Sequence, residues 1–396
     1  MDNVEHNFFD VVVTTYDEDK KKFIEHMTFL KNLSVEESTF HKKWMEVQDY
    51  KSHINKASLT KAKIWIPTDI NDEQLTTKEI QDLNPTIKYV ETKEEESDWL
   101  MLRVFCHTME FSQTPGRFLK FLITDGNVDN PKYLGAVSIS SDVLCITDRD
   151  KYIGWTADDR LKTHKRINNS AIGSCIMATQ PFGYNFLGGK LIACLITTDV
   201  VRNIWKNLYD NVMVGMTTTS LYGSNSMYNS LKWWHKCGSS TGKIAIKPDD
   251  AIYKQWHDYV KEHHKDKYKI MMTQKEGVSG PVTAAKQRVI SLIFSELGMK
   301  ASDFVHGFER GVYYSNFYEN GKEFLCNKVT EEQLKMKPLF VSNKQAILDW
   351  WKPKVIERYK TLKNENRLKS DMLFYNKMID MPYVDAKALY FGDVGR

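Results

Sequence analysis

The stretch from residue 171 to 243 constrains this chain most. Ala171–Gln180 is an apolar, β-prone run, and Pro181–Leu195 follows it with a Gly188–Gly189 pair at its centre. A second apolar run covers Val212–Ser220, and Leu221–Gly238 carries Tyr228 and closes on a glycine. Short β-prone runs on either side of a glycine-started, helix-like segment predict a strand, a glycine loop, a helix and a second strand. A short helix bearing Tyr228 is expected next. A unit of that order places a helix N-terminus where it can meet an anion.

At 396 residues the chain is long enough for two or three domains. It has no run of 18 apolar residues, so no membrane span is expected. The acidic start, MDNVE, lacks the basic and apolar regions of a secretory signal. Six cysteines are scattered without a CxxC pair, and most sit in apolar runs. Buried reduced thiols, a cytoplasmic location (the host cytoplasm for a phage-encoded chain) and no metal site are the expectation. Motifs of P-loop NTPases, GxSxG hydrolases and HExxH zincins are missing from the sequence. The net charge is +4, but from Lys243 to Arg396 there are 27 Lys and Arg against 20 Asp and Glu. That surplus of seven points to a C-terminal contact with an anion such as DNA.

Four regions are expected. Residues 1–65 form a helical extension, with helices over Lys20–Leu33 and Val35–Ile54 and Ser34 as N-cap. Residues 66–98, rich in Thr, Asp, Glu and Lys, are a linker. Residues 99–247 are an α/β (α+β) domain, with strands over 100–106, 117–124, 133–140, 171–180 and 212–220 and a turn at Asp125–Gly126. Residues 248–396 are mostly helical. Helices over Asp250–His264, from Pro281 to a Gly298 stop, and over Ala301–Glu309 precede a hairpin turned at Asn320–Gly321, a winged-helix-like order. A last helix covers Lys344–Lys363, with Trp350 and Trp351 expected in the core.

Several side chains stand out chemically. Asn185, Phe186, Leu187, Gly188, Gly189 and Lys190 form a loop whose backbone N–H groups and ammonium suit a pyrophosphate. The bulky Tyr184 and Phe186 would instead fill such a pocket in a noncatalytic protein. Tyr228 carries a hydroxyl suited to protonating a leaving thiolate. Arg149 is a candidate for a substrate phosphate and Trp155 for stacking a flipped base, with Asn169 and Ser224 nearby as substrate contacts. The backbone around Ala178–Gln180 is a candidate oxyanion site. His107, Glu110 and Asp125 stand near strand ends as candidate bases or metal ligands.

The residues of YLGAVSISSDV at 133–143, RDKYIGW at 149–155, Asn168–Asn169 and the spacing Gly223…Tyr228–Asn229…Trp233…Gly238…Gly242–Lys243 resemble the DruA family, associated with Druantia anti-phage systems. Related proteins also occur in phages. The Gly223…Tyr228…Trp233…Gly238 spacing is also similar to the Mom family of phage DNA-modifying enzymes, and the order of 171–243 is similar to the cofactor-binding half of GNAT-type acyltransferases. The resemblance covers about 130–243. It implies a GNAT-like central mixed sheet with flanking helices and a site lined or shaped by Arg149, Trp155, Asn169, Gly223, Tyr228 and Gly238. Taken with the loop at Asn185–Lys190 for an acyl-CoA donor of the acetyl-CoA type and Tyr228 as acid, the expectation is acyl transfer to a DNA base in an anti-restriction role. The alternative is a noncatalytic DNA-binding or defence-linked protein on the same scaffold.

Overall fold

The computed structural model describes residues 6–54, 63–107, 116–161, 165–221, 225–240, 243–273, 285–307, 309–341, 343–369 and 380–393. The chain begins with α1 (His6–Asn32), α2 (Val35–Asp49), α3 (Lys51–Ile54), α4 (Glu73–Asp82), β1 (Thr86–Tyr89), α5 (Lys93–Cys106), β2 (Phe118–Thr124) and β3 (Tyr133–Ser141). Then come α6 (Thr147–Ile153), α7 (Ala157–Leu161), β4 (Ser170–Ala178), α8 (Phe182–Asn185), α9 (Gly188–Leu195), α10 (Asp199–Tyr209), β5 (Gly215–Ser220) and β6 (His235–Ser239). The remainder is β7 (Lys243–Ala245), α11 (Asp250–His263), α12 (Lys265–Met272), α13 (Ala285–Glu296), β8 (Val305–Gly307), β9 (Gly311–Asn316), α14 (Gly321–Leu325), α15 (Lys344–Asn364) and α16 (Tyr383–Asp393). No helix among the described residues is long and apolar enough to cross a membrane.

The chain forms two compact units, residues 1–38 with 241–309, and residues 39–240 with 310–396. In the larger unit seven strands form one mixed sheet in the order β1-β2-β3-β4-β5-β9-β6. Every neighbouring pair is antiparallel except β4–β5. Both faces are covered, which is why the central strands read as continuous apolar runs rather than alternating ones. Odd and even positions of β2 and β3 serve different cores: Phe121 and Val137 meet the helices α9 and α15, while Leu122 and Ala136 meet α5 and α16. The fold is α+β, as expected.

Three local expectations are corrected. Residues 100–106 are the end of helix α5, not a strand. Thr92 and Glu95 make a capping box that starts this helix, and Trp99 and Met101–Cys106 are buried, so the apolar run carries no helical stripe to betray it. Residues 66–98 contain α4, the edge strand β1 and the first turns of α5 where a linker is expected. The winged-helix order fails because residues 312–316 belong to β9, which lies between β5 and β6 in the main sheet. Asn320–Gly321 leads into α14 instead of a hairpin return, and residues 305–307 are β8 where a helix to residue 309 is expected.

The smaller unit is, by chain order, an insertion between β6 and β9 completed by the N-terminal segment. Its core joins Phe23, Met27 and Leu30 of α1 to Trp256 and Val260 of α11 and Ile293 and Phe294 of α13. The short ribbon β7–β8 closes it. Ser34 caps α2 as expected: its Oγ accepts from Glu37 N at 3.1 Å and its N donates to Glu37 at 2.9 Å.

Candidate functional site

β4 and β5 pair in parallel at only three positions, Ser170↔Gly215, Ala171↔Met216 and Ile172↔Thr217. Beyond them each strand continues without the other, β4 to Ala178 and β5 to Ser220. A cavity of about 660 Å³ lies in this opening. Gly173, Ser174 and Ile176–Ala178 line it from β4, Thr218–Ser220 from β5, and Asn225, Met227 and Tyr228 from the loop that follows β5. His107, Gln180, Tyr184, Gly189 and Arg310 complete the wall. A volume of this size suits a small ligand or one arm of a larger one.

The paired end is pinned by a buried ionic network. Asp142, after β3, accepts at Oδ2 from Ser170 of β4 and, at 2.7 Å, from Thr217 of β5. Its Oδ1 accepts from Arg149 Nη1 at 2.6 Å. Arg149 also donates to Asp150 Oδ1 from Nε and Nη2, at 2.9 and 2.7 Å. Burial lowers the proton affinity of this guanidinium, but Asp142 and Asp150 outweigh that and hold it charged. The indole of Trp155 donates to the same Asp150 oxygen at 2.9 Å and lies 5.3 Å from the Arg149 guanidinium.

Arg149 and Trp155 are therefore core residues, 0% and 5% exposed, and neither is displayed to a phosphate or a base. The run TDRDKY reads as solvated because its partner Asp142 lies outside it. Asn169 is structural too: Nδ2 donates to Val212 O at 3.0 Å, and its carbonyl accepts from Val214 N at 2.8 Å, fixing the entry into β5. Ser224, Gly223 and Glu110 lie outside the described residues. Asp125 closes the β2–β3 turn by accepting from Asn127 N and Lys132 N.

Tyr228 is brought to the cavity, but on a turn segment and not on a helix; β6 follows where the helix was expected to end. Ser226, Asn229 and Ser230 favour local turns over helix. The hydroxyl of Tyr228 lies 3.4 Å from Thr218 Oγ1, and its ring packs between Trp234 and Tyr313. Burial pushes the phenol above its ordinary pKa, so at neutral pH it holds its proton. Gly238 sits in β6 at φ +155, where a Cβ would overlap the Asp148 carboxylate.

The loop expected to hold a pyrophosphate separates into different roles. α9 does begin at Gly188. Phe186 is fully buried, stacked on Tyr359 with its carbonyl held by Trp351 Nε1 at 3.1 Å. Leu187 takes a left-handed conformation at φ +50 to start the helix. Gly188 is a packing glycine, since a Cβ there would overlap the Phe182 ring. Gly189 lines the cavity. Asn185 is fully buried and bonds the backbone of Lys369. Lys190 turns to the carbonyls of Asn229 and Met227, at 2.8 and 3.3 Å, and so ties α9 to the segment carrying Tyr228. Burial is the main cause, with Lys354 adding to it, that lowers the pKa of this ammonium.

At the candidate oxyanion position, Ala178 and Gln180 line the cavity, while the N–H of Thr179 is committed to Leu134 O at 2.9 Å. Sequence reading missed Ser174, Thr218 and Arg310. The signal for Thr218 was present in the four consecutive hydroxyl residues 217–220 inside an apolar strand, which a buried strand carries only where the hydroxyls have partners. Thr218 Oγ1 indeed donates to Gly173 O across the opening at 3.1 Å.

Neither the curated proteins nor the solved structures contain a match to this chain. A family model described as Druantia protein DruA matches residues 34–327, about three quarters of the chain, and spans the sheet, the cavity and the inserted unit. On that match the chain belongs to the DruA family.

Proposed function

We propose that this DruA-family protein is an acyltransferase that takes its acyl group from a thioester of the acetyl-CoA type, with the thioester arm inserted between β4 and β5. The observation that carries this reading is the divergence of two parallel, adjacent strands after three paired positions, with a cavity in the opening and a buried, protonated tyrosine on its wall. The strand order β1-β2-β3-β4-β5-β9-β6, with the first four strands antiparallel and the fifth parallel to the fourth, supports the GNAT-like reading. Of the two side chains expected to fill a noncatalytic pocket, Phe186 is packed in the core and Tyr184 lies on the cavity wall.

In this reading an acceptor amine attacks the thioester carbonyl carbon. The C–S bond breaks, and the departing thiolate takes the proton of Tyr228. The proton lost by the amine passes to His107, the imidazole on the cavity wall. The products are an amide and a free thiol, and Tyr228 regains its proton from solvent. Backbone groups of β4 beyond Ile172 on the β5 side, which have no ladder partner among the described residues, are suited to stabilising the oxyanion.

The acceptor we infer is an amine on DNA, in keeping with a role in phage defence or counter-defence. With Arg149 and Trp155 built into the core, support for that acceptor comes from the basic C-terminal segment, where Lys335 and Lys354 are exposed. The test is thiol release from acetyl-CoA by the full chain, with duplex DNA, single-stranded DNA and a simple diamine as acceptors. Acceptor-dependent release is expected, and Tyr228→Phe should lower its rate by about 10²–10⁴-fold. A folded protein that neither binds acetyl-CoA nor releases thiol would overturn the reading. An unimpaired Tyr228→Phe variant would remove the tyrosine from its role.

A further inference from the structure

Asn185 makes an unusual contact for a residue of a glycine loop. Fully buried, it bonds one residue 184 positions away with both ends of its amide. Nδ2 donates to Lys369 O at 2.7 Å and Oδ1 accepts from Lys369 N at 3.0 Å. This clamp fixes the chain that leaves α15 against the loop before α9. A second tie lies one residue earlier in the loop. Arg358 of α15 donates from Nε to Tyr184 O at 2.9 Å, and its guanidinium lies 5.3 Å from the Tyr184 ring centre. The Lys369 ammonium lies 5.9 Å from the centre of the same ring. Tyr184 in turn lines the cavity.

Arg358 and Lys369 thus both lie near the ring of Tyr184, and Arg367 also bonds the Tyr184 side chain. Among the described residues neither Arg358 nor Lys369 has a carboxylate partner, whereas Arg367 is paired with Glu365 at 2.6 Å. Two cations beside one ring, neither with a carboxylate partner of its own among the described residues, give a local positive potential that favours an anion. The guanidinium is oriented by its Nε bond and by the ring, which leaves its terminal N–H groups for a planar or tetrahedral anion. Lys369 is exposed and Arg358 half-buried, so a ligand has access to both.

We propose that Arg358 and Lys369, beside Tyr184 of the cavity wall, form an anion subsite next to the cavity that takes the diphosphate group of a nucleotide-type ligand, with Asn185 as the residue that positions Lys369. Identifying that ligand as the phosphorylated tail of the acyl donor rests on the acyl-transfer reading above; the subsite itself does not. It departs from the expectation of a pyrophosphate held by Lys190, whose ammonium is occupied by backbone carbonyls.

The experiment is isothermal titration of the full chain with inorganic pyrophosphate, ADP and CoA. It is repeated on Arg358→Gln, Lys369→Gln, the double variant, and Lys78→Gln, an equal charge change at an exposed position on α4. Each single variant should weaken ADP and CoA about tenfold, the double variant by more, and Lys78→Gln not at all. Unchanged binding in the double variant would overturn the subsite, as would binding of CoA but of neither ADP nor pyrophosphate. An oligonucleotide that needs the same two residues, in a protein that ignores ADP, would overturn the assignment to a small diphosphate. Failure of the two ideas is separable. ADP binding that depends on Arg358 and Lys369 without any thiol release keeps the subsite and removes acyl transfer. Thiol release with an unchanged KM for acetyl-CoA in the double variant does the reverse.

Discussion

Arg149 Nη1 and Asp142 Oδ1 lie 2.6 Å apart with both side chains fully buried. The other oxygen of that carboxylate holds hydroxyls from β4 and β5. One buried charge pair therefore fixes the parallel β4–β5 junction, and the cavity opens directly beyond it. The sheet is closed at one end of the β4–β5 pair by this network and open at the other.

Removing the carboxylate charge should be costly. Asp142→Asn leaves the Arg149 guanidinium buried with Asp150 as its remaining partner, and breaking such a pair typically costs about 3–5 kcal/mol. Urea denaturation should show a loss of that order. A loss below about 1 kcal/mol would mean that the network does not hold the junction.

The two loop glycines should separate stability from binding. A Cβ at Gly188 overlaps the Phe182 ring, so Gly188→Ala should destabilise by about 1–3 kcal/mol through overpacking. A Cβ at Gly189 meets the Met227 side chain, tightest at its movable Sδ at 3.0 Å, at the cavity wall. Gly189→Ala should unfold like the parent chain but bind acetyl-CoA more weakly. Thermal unfolding and titration of both variants check this.

A second buried ionic cluster gives a pH signature. Lys43 is fully buried, 2.6 Å from Glu46, which also pairs with Arg103. Burial, despite the pull of Glu46, brings the Lys43 ammonium down to about 8. The unfolded value is about 10.4, so between these two pH values the unfolded chain binds more protons than the folded one. Stability should therefore rise as pH rises from about 8 to about 10.4, with the full burial penalty present below that window. In Lys43→Met this part of the slope should vanish, as read from urea midpoints across the range. An unchanged slope would show that Lys43 is not its source.

The insertion should be separable from the sheet. Ser240 N donates to Arg310 O at 2.9 Å, next to the last β6–β9 pair, Ser239↔Gly311. The two ends of the insertion are thus a tight-turn distance apart, and the inserted unit has its own core around Trp256 and Phe294. Replacing residues 241–309 by Asn-Gly, a favoured two-residue hairpin turn, and removing residues 1–38 should leave a cooperatively folding protein. Circular dichroism with a single unfolding transition would support this, and loss of folded structure would contradict it.

The central sheet was legible in the sequence because β2, β3 and β4, and the run Val212–Met216 leading into β5, are largely apolar and bounded by turn residues. α5 was not, because an apolar run buried on all sides looks the same as a helix or a strand. β9 was misplaced for a different reason. Its partners are Gly215–Ser220 and His235–Ser239, and an inserted unit of about 70 residues separates it from the latter, so no local pattern reports the pairing. At the site, Tyr228 and Gly189 could be found from spacing. Arg149, Trp155 and Lys190 could not be sorted, since a charge or an aromatic ring reads as functional until its buried partner is known. Asn185 was singled out for a ligand, yet its clamp on Lys369 spans half the chain, and nothing near it in sequence points there.

A thioester donor that enters between β4 and β5 should change hydrogen–deuterium exchange there. With saturating acetyl-CoA, protection is expected to be confined to residues 173–178, 218–220 and the loop carrying Met227 and Tyr228, and to be lost when Ser174→Phe fills the opening. Binding without protection of those segments, or protection unaffected by Ser174→Phe in a folded protein, would contradict entry at that place.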